Sequence, residues 1–317
     1  MPSGWDVREV RFGAEGVTLA GLLGVPGGEA VAGVVLIGGS GPSDRDNDGY
    51  FRPIRRYLLE AGIAVLSYDK RGVGRSSGRW RAATMDDLAS DALAALDFLR
   101  AQPEVPDEAV GLFGHSEGGW VALRAAARDA PSWVITNSCP GVTPAEQERY
   151  AVANAVKASG SQSQRDNADV LALYDRLVEA GRRGADFAEA TRLVARAGHP
   201  PGLAAYWGDV DADGWEFLKR KQDHDPLPDA CRLRCPHLAI FGGSDVLVPV
   251  ADSIRLFSAV ACDGDRGQRA TLTVEVFPGA DHRVQRGGVL APGYLRTLAQ
   301  WIHAAVPDRG SRSNASR

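Results

Sequence analysis

The fold of this chain is decided by the stretch Val110-Gly111-Leu112-Phe113-Gly114-His115-Ser116-Glu117-Gly118-Gly119. Its first four residues have the pattern of a short apolar strand, which runs into a Gly-x-Ser-x-Gly turn and then into the helix-prone run 120–128. The turn needs glycine on both sides of the serine, because a Cβ atom at Gly114 or Gly118 would collide with neighbouring backbone. We therefore expect Ser116 to stand at the tip of a strand-to-helix turn, faced by free N–H groups and the positive end of the helix dipole.

Ser116 alone does not establish a reaction, since short Gly-x-Ser-x-Gly patterns also occur in loops without chemistry. A serine hydroxyl is a poor nucleophile at neutral pH, so it needs a base within hydrogen-bond reach and a carboxylate that orients the base. His282 fits by position, because it follows the last predicted strand at the same edge of the sheet as Ser116. The other five histidines fit less well, and the first of them is expected to point away from the serine: His115, His199, His224, His237 and His303.

The orienting carboxylate is predicted to be Asp245, in the segment 242–249 at the end of the preceding strand. The chain order Ser, Asp, His is that of one particular fold. Asp281 is a weaker candidate, because the side chains of adjacent residues diverge too far for a bond between Asp281 and His282. The loop 137–140, which follows another predicted strand, contains no acid and so strengthens Asp245.

Acyl transfer also needs two N–H donors for the oxyanion of the tetrahedral intermediate. We expect one from the backbone of Glu117, the residue after the nucleophile. The other is expected from the loop 38–42, where Ser40 is the assigned donor. Glycine on both sides of Ser40 lets this backbone approach a substrate closely.

The segment 44–49 opens like a calcium-binding loop. Arg55, however, occupies the position at which such a loop needs a bidentate glutamate. We expect the acidic residues of this segment to hold the oxyanion loop instead, through Arg45 or Arg71.

The glycine-rich segment 72–78 follows a strand and hints at dinucleotide binding. Ser77 stands where the third glycine of that motif is due, and helix signals begin only later. A structural turn is therefore predicted, and we expect neither a metal nor a cofactor.

Strands and helices alternate along most of the chain. An opening antiparallel hairpin is predicted over 7–12 and 17–25, and aliphatic runs at 31–37 and 63–67 are typical of strands buried on both faces of a parallel sheet. The economical arrangement is an α/β fold with a mostly parallel central sheet and helices on both faces. The remaining predicted strands are 110–113, 133–137, 237–241 and 272–277, and the predicted helices are 50–61, 86–102, 120–128, 251–260 and 294–305.

The alternation stops between the predicted strand 133–137 and the predicted strand 237–241, where helical patches occur without a convincing buried strand. An insertion of this length would lie over the strand ends as a lid. The predicted organisation is a core of residues 1–140 and 231–306, a helical cap of residues 141–230 and a polar, disordered tail of residues 307–317.

Composition excludes several classes of function. The net charge of −4 and the pI near 5.9 leave no basic surface for nucleic acid. No run of 18 apolar residues is present, and residues 1–6 lack the pattern of a signal peptide, which predicts a cytoplasmic protein without a membrane partner. The four cysteines form no C-x-x-C pair, so we expect four reduced thiols and no zinc site.

Four motifs occur together in the chain: Gly-Ser-Gly-Pro-Ser-Asp-Arg-Asp at 39–46, Tyr-Asp-Lys-Arg-Gly-Val-Gly-Arg-Ser at 68–76, Gly-His-Ser-Glu-Gly-Gly at 114–119 and Gly-Ala-Asp-His at 279–282. The last three resemble the α/β-hydrolase superfamily, and the resemblance covers residues 7–306. The first motif, combined with Asp-Lys-Arg-Gly at 69–72, looks like a bacterial esterase branch akin to dienelactone hydrolases and acyl-peptidase-like domains. The resemblance implies a nucleophile at Ser116, an acid at Asp245, a base at His282 and a helical cap. Many members carry His-Gly at the oxyanion loop, whereas this chain has Gly38-Gly39.

The resemblance does not decide the substrate, because this fold hosts many reactions. Trp80 and Trp120 lie closer to the predicted mouth of the site, and Tyr206 and Trp207 could line an acyl or aromatic pocket. Packing inside the cap is the favoured role for most of its aromatic residues. The other aromatic residues considered for the pocket are Tyr174, Phe187, Trp215 and Phe217.

The leading hypothesis is a serine hydrolase that cleaves a carboxylic ester of a small molecule through an acyl-enzyme intermediate. A second hypothesis keeps the same three residues but assigns thioester cleavage, peptide cleavage, or acyl elimination and cyclisation on a specialised metabolite. A third is a ligand-binding protein of the same fold without catalysis. A homodimer is left open.

Overall fold

Eight strands form one sheet in the computed structural model of the chain, which describes residues 4–158, 164–262 and 270–306. The strands are β1 (Trp5–Ala14), β2 (Val17–Pro26), β3 (Ala32–Ile37), β4 (Ile63–Tyr68), β5 (Val110–His115), β6 (Val134–Asn137), β7 (His237–Gly242) and β8 (Leu272–Phe277). Their order across the sheet is β1-β2-β4-β3-β5-β6-β7-β8. β2 pairs antiparallel with β1 and β4, and all later neighbours pair parallel. The carboxyl ends of β3 to β8 therefore lie at one edge of the sheet.

Helices cover both faces of this sheet. The helices are α1 (Phe51–Glu60), α2 (Met85–Arg100), α3 (Glu117–Ala126), α4 (Pro144–Ala158), α5 (Gln164–Arg182), α6 (Phe187–Arg196), α7 (Ala204–Trp207), α8 (Ala212–Lys221), α9 (Leu227–Cys231), α10 (Val250–Ala261) and α11 (Tyr294–Ala305). Because successive residues of a strand point to opposite faces, Val35 and Ile37 of β3 pack with α2 and α3, while Val34 and Leu36 pack with α1 and α11. The predicted α/β fold, with a mostly parallel sheet between two helical layers, is confirmed.

The predicted strands and helices of the two core segments coincide with the observed ones to within three residues at each end. α2 shows why: Thr84 caps its first turn by accepting from the N–H of Asp87, whose carboxylate accepts from the N–H of Thr84 in return. A small hairpin of β9 (Gln285–Arg286) and β10 (Val289–Leu290) was not predicted. Strands of two residues are too short to show a periodicity.

The helices α4 to α9 lie between β6 and β7, and are called the inserted helices below. They enclose a hydrophobic cluster of their own, in which Leu173, Leu177 and Trp215 are almost fully buried. The described residues between β6 and β7 contain no strand, as the sequence predicted. The division of the chain into core and cap stays a prediction, and the predicted tail 307–317 lies outside the described residues.

Three exclusions made from the sequence concern thiols, metals and membranes. The four cysteines are free of disulfide bonds, with Cys139 and Cys235 buried. Within the ranges that the structure describes, no three His, Cys, Asp or Glu side chains are grouped so that they could hold a metal ion. In the same ranges, no helix combines the length and the apolar character that crossing a bilayer requires.

Candidate active site

Ser116 lies at the sharp turn between β5 and α3. Its backbone has φ of 55° and ψ of −122°, a conformation that costs a residue with a side chain about 1–3 kcal/mol. A Cβ atom on Gly114 would overlap the carbonyl oxygen of Gly118, and one on Gly118 would overlap that of Ile37. The backbone N–H of Ser116 donates to the carbonyl of Asn137 at 2.9 Å. The predicted need for glycine on both sides of the serine is confirmed, because each clash is with backbone that cannot move aside.

We expect Gly114→Ala to lower the free energy of unfolding by about 1–3 kcal/mol or more, because overpacking against backbone forces the turn to shift. Urea denaturation followed by circular dichroism measures this loss. Gly13→Ala in β1 is the matched control, since a Cβ atom there meets nothing within 4 Å. Equal stability of the two variants would contradict the tight-turn argument.

His282 and Asp245 meet at the carboxyl edge of the sheet. The Nδ1 atom of His282 lies 2.8 Å from Oδ2 of Asp245, whose side chain is fully buried. The other carboxylate oxygen, Oδ1, accepts the backbone N–H groups of Leu247 at 2.8 Å and Val248 at 3.1 Å. Asp245 is therefore held by its own loop in a position from which it can orient the imidazole.

Asp281 serves a different purpose from Asp245. Its Oδ1 atom accepts the backbone N–H groups of Arg283 and Gln285, each at 2.9 Å. These bonds shape the turn that carries His282 and leave the imidazole to Asp245. The structure thus pairs His282 with the carboxylate that the sequence favoured.

His115 links the loop 38–42 to the loop that carries His282. Its ring centroid lies 5.1 Å from that of His282, and Nε2 lies 3.4 Å from the carbonyl oxygen of His282. Nδ1 lies 3.0 Å from Nδ2 of Asn47, whose Oδ1 accepts from Ser43 at 3.0 Å and faces the N–H of Gly39 at 3.4 Å. Burial holds the pKa of His115 well below its ordinary value, and the nearby His282 adds to this shift, so the ring is neutral. The side chain of His115 was predicted to point away from Ser116, and its ring lies next to that of His282.

The loop 38–42 approaches Ser116 closely. A Cβ atom on Gly39 would lie 3.5 Å from Cβ of Ser116 and 3.2 Å from the ring of His115. The side chain of Ser40 turns toward α3, where its Oγ donates to Oε2 of Glu117 at 2.9 Å. The assignment of the Ser40 and Glu117 N–H groups as oxyanion donors stays a prediction.

A buried ion cluster lies behind this loop. Lys70 donates to the carbonyl oxygen of Gly39 at 2.6 Å and to Oε1 of Glu117 at 3.0 Å, and Lys221 donates to Oε2 of Glu117 at 2.9 Å. Burial alone would raise the pKa of Glu117, but Lys221 and Lys70 hold it far below its ordinary value, so the carboxylate is charged. Neither lysine was predicted to belong to the site. Glu117 itself was the available signal, because a carboxylate in a buried first turn needs cationic partners.

The segment 44–49 is held by pairs between arginines and acids, as expected, but the partners differ from those predicted. Arg45 makes a bidentate pair with Asp69, at 3.0 and 2.7 Å, so the partner is an acid outside the segment. Arg71, which was the alternative to Arg45, pairs instead with Asp91 of α2. Asp46 of the segment pairs with Arg55, the residue that breaks the calcium pattern.

The segment 72–78 forms a structural turn, as predicted. Oγ of Ser76 donates to the carbonyl of Asp69 at 2.7 Å and accepts from the N–H of Ala20 at 2.9 Å, which ties the turn to β2. A Cβ atom on Gly74 would overlap the carboxylate of Asp69. The lack of a side chain at Gly74 therefore makes room for the Asp69 carboxylate that Arg45 binds.

The four aromatic residues predicted to contact substrate all have packing partners. Trp120 is buried in the core and donates from Nε1 to the carbonyl of Pro140 at 2.7 Å, which places it in the core rather than at a mouth. Trp80 is half-buried against Phe217 of α8, with ring centroids 5.2 Å apart. Tyr206 packs on Tyr174 and Trp207 packs between Phe187 and Trp215, all within the inserted helices. These contacts support the packing role that was favoured for cap aromatics, and substrate contact stays a prediction.

Glu148 of α4 is a half-buried acid that sequence analysis did not single out. Burial raises the pKa of this carboxyl above its ordinary value. The charges of Lys221 and His282 lower the pKa and that of Glu117 raises it, but the effect of burial is the largest. Acidic residues in a helix usually lie on its solvent-exposed face, so no pattern in the sequence distinguishes Glu148 from other acids.

Comparisons with known proteins agree on the fold. The sequence pattern of the family described as "Serine aminopeptidase, S33" matches residues 34–165. The esterase EstD of Thermotoga maritima is 27% identical over 249 residues, which are 76% of this chain and 54% of EstD. The thiohydrolase aneE of Aspergillus aculeatus is 39% identical over 80 residues, which are 25% of each chain. The chain thus spans about half the length of one curated relative and a quarter of the other.

A solved structure gives the same architecture over nearly the whole chain. An esterase of Pyrococcus furiosus superposes with a TM-score of 0.61 and 18% sequence identity, covering 95% of this chain and 90% of that one. At this identity the similarity establishes the fold alone.

Proposed function

We propose that this chain, an α/β-hydrolase by its fold, is a serine hydrolase that cleaves a carboxylic ester through an acyl-enzyme intermediate. The observation that carries the proposal is the bond between His282 and the buried, doubly anchored Asp245, at the sheet edge where the strained turn presents Ser116. A neutral imidazole in this setting accepts a proton on Nε2 while Nδ1–H donates to the carboxylate. Such a base is what a serine hydroxyl lacks by itself.

The reaction follows from these roles. Ser116 Oγ attacks the ester carbonyl carbon and gives its proton to Nε2 of His282. The carbonyl electrons move onto oxygen, and the N–H groups of Glu117 and Ser40 stabilise that oxyanion. The C–O bond then breaks, and the proton on His282 goes to the departing alcohol. A water molecule then gives a proton to Nε2 of His282 and attacks the acyl carbon. The bond between that carbon and Ser116 Oγ breaks, the acid leaves, and His282 returns the proton to Ser116 Oγ.

The inserted helices are proposed to act as a cap, with residues 141–230 as the segment. Side chains of α4 bond the loop that carries Asp245: Gln147 donates to the carbonyl of Leu247 at 2.9 Å and Asn154 to that of Val246 at 2.9 Å. This contact supports a cap that stays next to the reacting groups. A small ester or acyl compound is the proposed substrate, with no nucleic-acid or membrane partner.

A fluorophosphonate probe and a panel of p-nitrophenyl esters test the proposal. We expect stoichiometric labelling, located at Ser116 by peptide mass spectrometry, and hydrolysis of short acyl esters that the probe abolishes. Labelling of a different serine, or failure of both the probe and every ester, would reject the proposal. The second result would favour a ligand-binding protein without catalysis.

Thioester cleavage is a second candidate, favoured by the similarity to a thiohydrolase over 80 residues. The same three side chains would act, with a thiolate as the leaving group. Paired oxygen esters and thioesters with the same acyl chain separate the two functions. A kcat/KM at least tenfold higher for the thioester would assign the second function, and the reverse would assign the first.

A further inference from the structure

We propose that Lys221, the last residue of α8, is a positioning residue of the oxyanion hole. In this proposal, docking of the inserted helices completes the ion cluster that holds the two N–H donors in place. The inference rests on the proposed serine hydrolase function and goes beyond it. It assigns to the inserted helices a part in stabilising the transition state, in addition to covering the site.

Glu117 is the residue through which Lys221 would act. The peptide N–H of Glu117 is one proposed oxyanion donor. Both oxygens of its carboxylate accept hydrogen bonds from side chains. Oε1 accepts from Lys70 at 3.0 Å, while Oε2 accepts from Ser40 at 2.9 Å and from Lys221 at 2.9 Å. Because the Glu117 side chain is 1% exposed and both lysine side chains are 9% exposed, these bonds form in an environment of low dielectric, where they are strong.

Ser40 connects the same cluster to the second proposed donor. Its Oγ bonds Glu117 and also lies 3.4 Å from Nζ of Lys221, while Lys70 binds the carbonyl oxygen of the preceding residue, Gly39. The carboxylate of Glu117 therefore joins the turn after β5 to the loop after β3. Of the four residues Ser40, Lys70, Glu117 and Lys221, the last alone comes from the inserted helices.

Contacts at the protein surface bring α8 to this position. Arg79 pairs with Asp213 at 2.9 Å and Arg81 pairs with Asp211 at 2.6 Å. These pairs are largely exposed, so each contributes little to stability. At the end of α8, Nζ of Lys221 bonds Glu117 and also lies 4.7 Å from the ring centroid of Phe217, which is in the same helix. The surface pairs connect α8 to the segment that carries Arg79 and Arg81, and the buried Lys221 connects α8 to Glu117.

Charge gives Lys221 a second effect on the same step. Two lysines and one glutamate leave the cluster with one net positive charge, next to the place where the oxyanion would form. Without Lys221 the cluster is neutral. Fixed positive charge near a developing oxyanion stabilises the transition state more than the uncharged substrate. Glu148 lies near enough for Lys221 to influence its pKa, so it belongs to the same electrostatic environment.

The test compares kcat and KM for p-nitrophenyl butyrate between the wild type and Lys221→Met. We expect kcat to fall about 10- to 100-fold, less than complete loss of one oxyanion donor, because both donors remain but are less well placed. We expect KM to change by less than about threefold, since the interaction acts in the transition state and not on bound substrate. Lys221→Arg, which keeps the charge, should recover most of kcat.

Arg220→Met is the matched control. Arg220 precedes Lys221 in α8, and its exposed guanidinium donates to the carbonyl of Arg81, so this variant weakens docking and keeps the ion cluster. Its kcat should stay within about twofold of the wild type, because exposed contacts contribute little. Lys221→Gln is a second replacement without charge, in case the apolar methionine disturbs folding, and it should lose kcat as Lys221→Met does.

Three results would overturn the inference. Full kcat in folded Lys221→Met and Lys221→Gln, an effect on KM alone, or equal losses in Arg220→Met would each mean that Lys221 only anchors the helices. If the wild type neither hydrolyses an ester nor reacts with the fluorophosphonate, the proposed function and this inference fall together. An active wild type with unaffected Lys221 variants removes the inference and leaves the function intact.

Discussion

Ser116→Ala is expected to reduce kcat for a p-nitrophenyl ester by about 10⁵- to 10⁶-fold. The variant keeps the turn and the His282–Asp245 pair but removes the atom that would form the covalent bond. What remains is catalysis by the oxyanion donors and by binding, which act on attack by water. Initial-rate kinetics with purified protein, together with loss of fluorophosphonate labelling, measure the effect.

Ser90→Ala is the control for Ser116→Ala. Ser90 lies on α2, where its hydroxyl donates to the carbonyl of Asp86 at 3.0 Å and accepts from Arg128 at 3.4 Å, so these bonds involve none of the residues proposed for the reaction. Its kinetics should match the wild type. Circular dichroism and the melting temperature should show that both variants are folded. Hydrolysis by Ser116→Ala at more than about one hundredth of the wild-type rate would mean that another group is the nucleophile.

Asp245→Asn is expected to lower kcat by about 10⁴-fold with little change in KM. Oδ1 of Asp245 accepts the N–H groups of Leu247 and Val248, so an asparagine would keep its carbonyl oxygen there and turn its NH₂ group toward His282. An NH₂ group donates, so Nδ1 of the imidazole would have to accept. The ring proton would then sit on Nε2, where the base must take the serine proton, and the tautomer would be the wrong one.

Asp281→Asn tests whether that loss is specific. Its Oδ1 accepts two backbone N–H groups, and an asparagine oxygen can accept both, so the turn should persist. We expect kcat within about twofold of the wild type, since each neutral bond differs from the charged one by no more than about 1–2 kcal/mol and none touches the imidazole. A larger loss in Asp281→Asn than in Asp245→Asn would reverse the assignment of the carboxylate.

The core elements could be predicted because their signals are local. Thr84 and Asp87 mark the start of α2 within four residues of sequence, and the aliphatic run of β3 follows from burial on both faces. The loops that carry Ser116, Asp245 and His282 all follow strands, so a parallel sheet brings them to one edge. The arrangement could therefore be anticipated once the strands were placed.

Several site features could not be predicted because they depend on contacts between segments far apart in the chain. Lys221 is separated from Glu117 by 104 positions, and no local pattern distinguishes it from the other basic residues at the end of α8. Arg71 could be placed on a loop but not on a side of that loop, so its pairing with Asp91 could not be distinguished from the alternative of binding the segment 44–49. Trp120 is an aromatic residue near Ser116 in the chain, which suits a pocket as well as a core, and only the packing around α3 shows that its side chain is buried.

By itself the sequence determined the order of strands and helices, the glycine-framed turn at Ser116 and the three side chains proposed for the reaction. These depend on backbone sterics and hydrophobic periodicity, which act over a few residues and are readable along the chain. Only the tertiary structure decided which polar groups meet: Lys70 and Lys221 at Glu117, Arg45 at Asp69, and Asn47 at His115, whose ring lies against that of His282. Buried polar groups must find partners wherever the packed chain offers them, and sequence distance does not limit that choice.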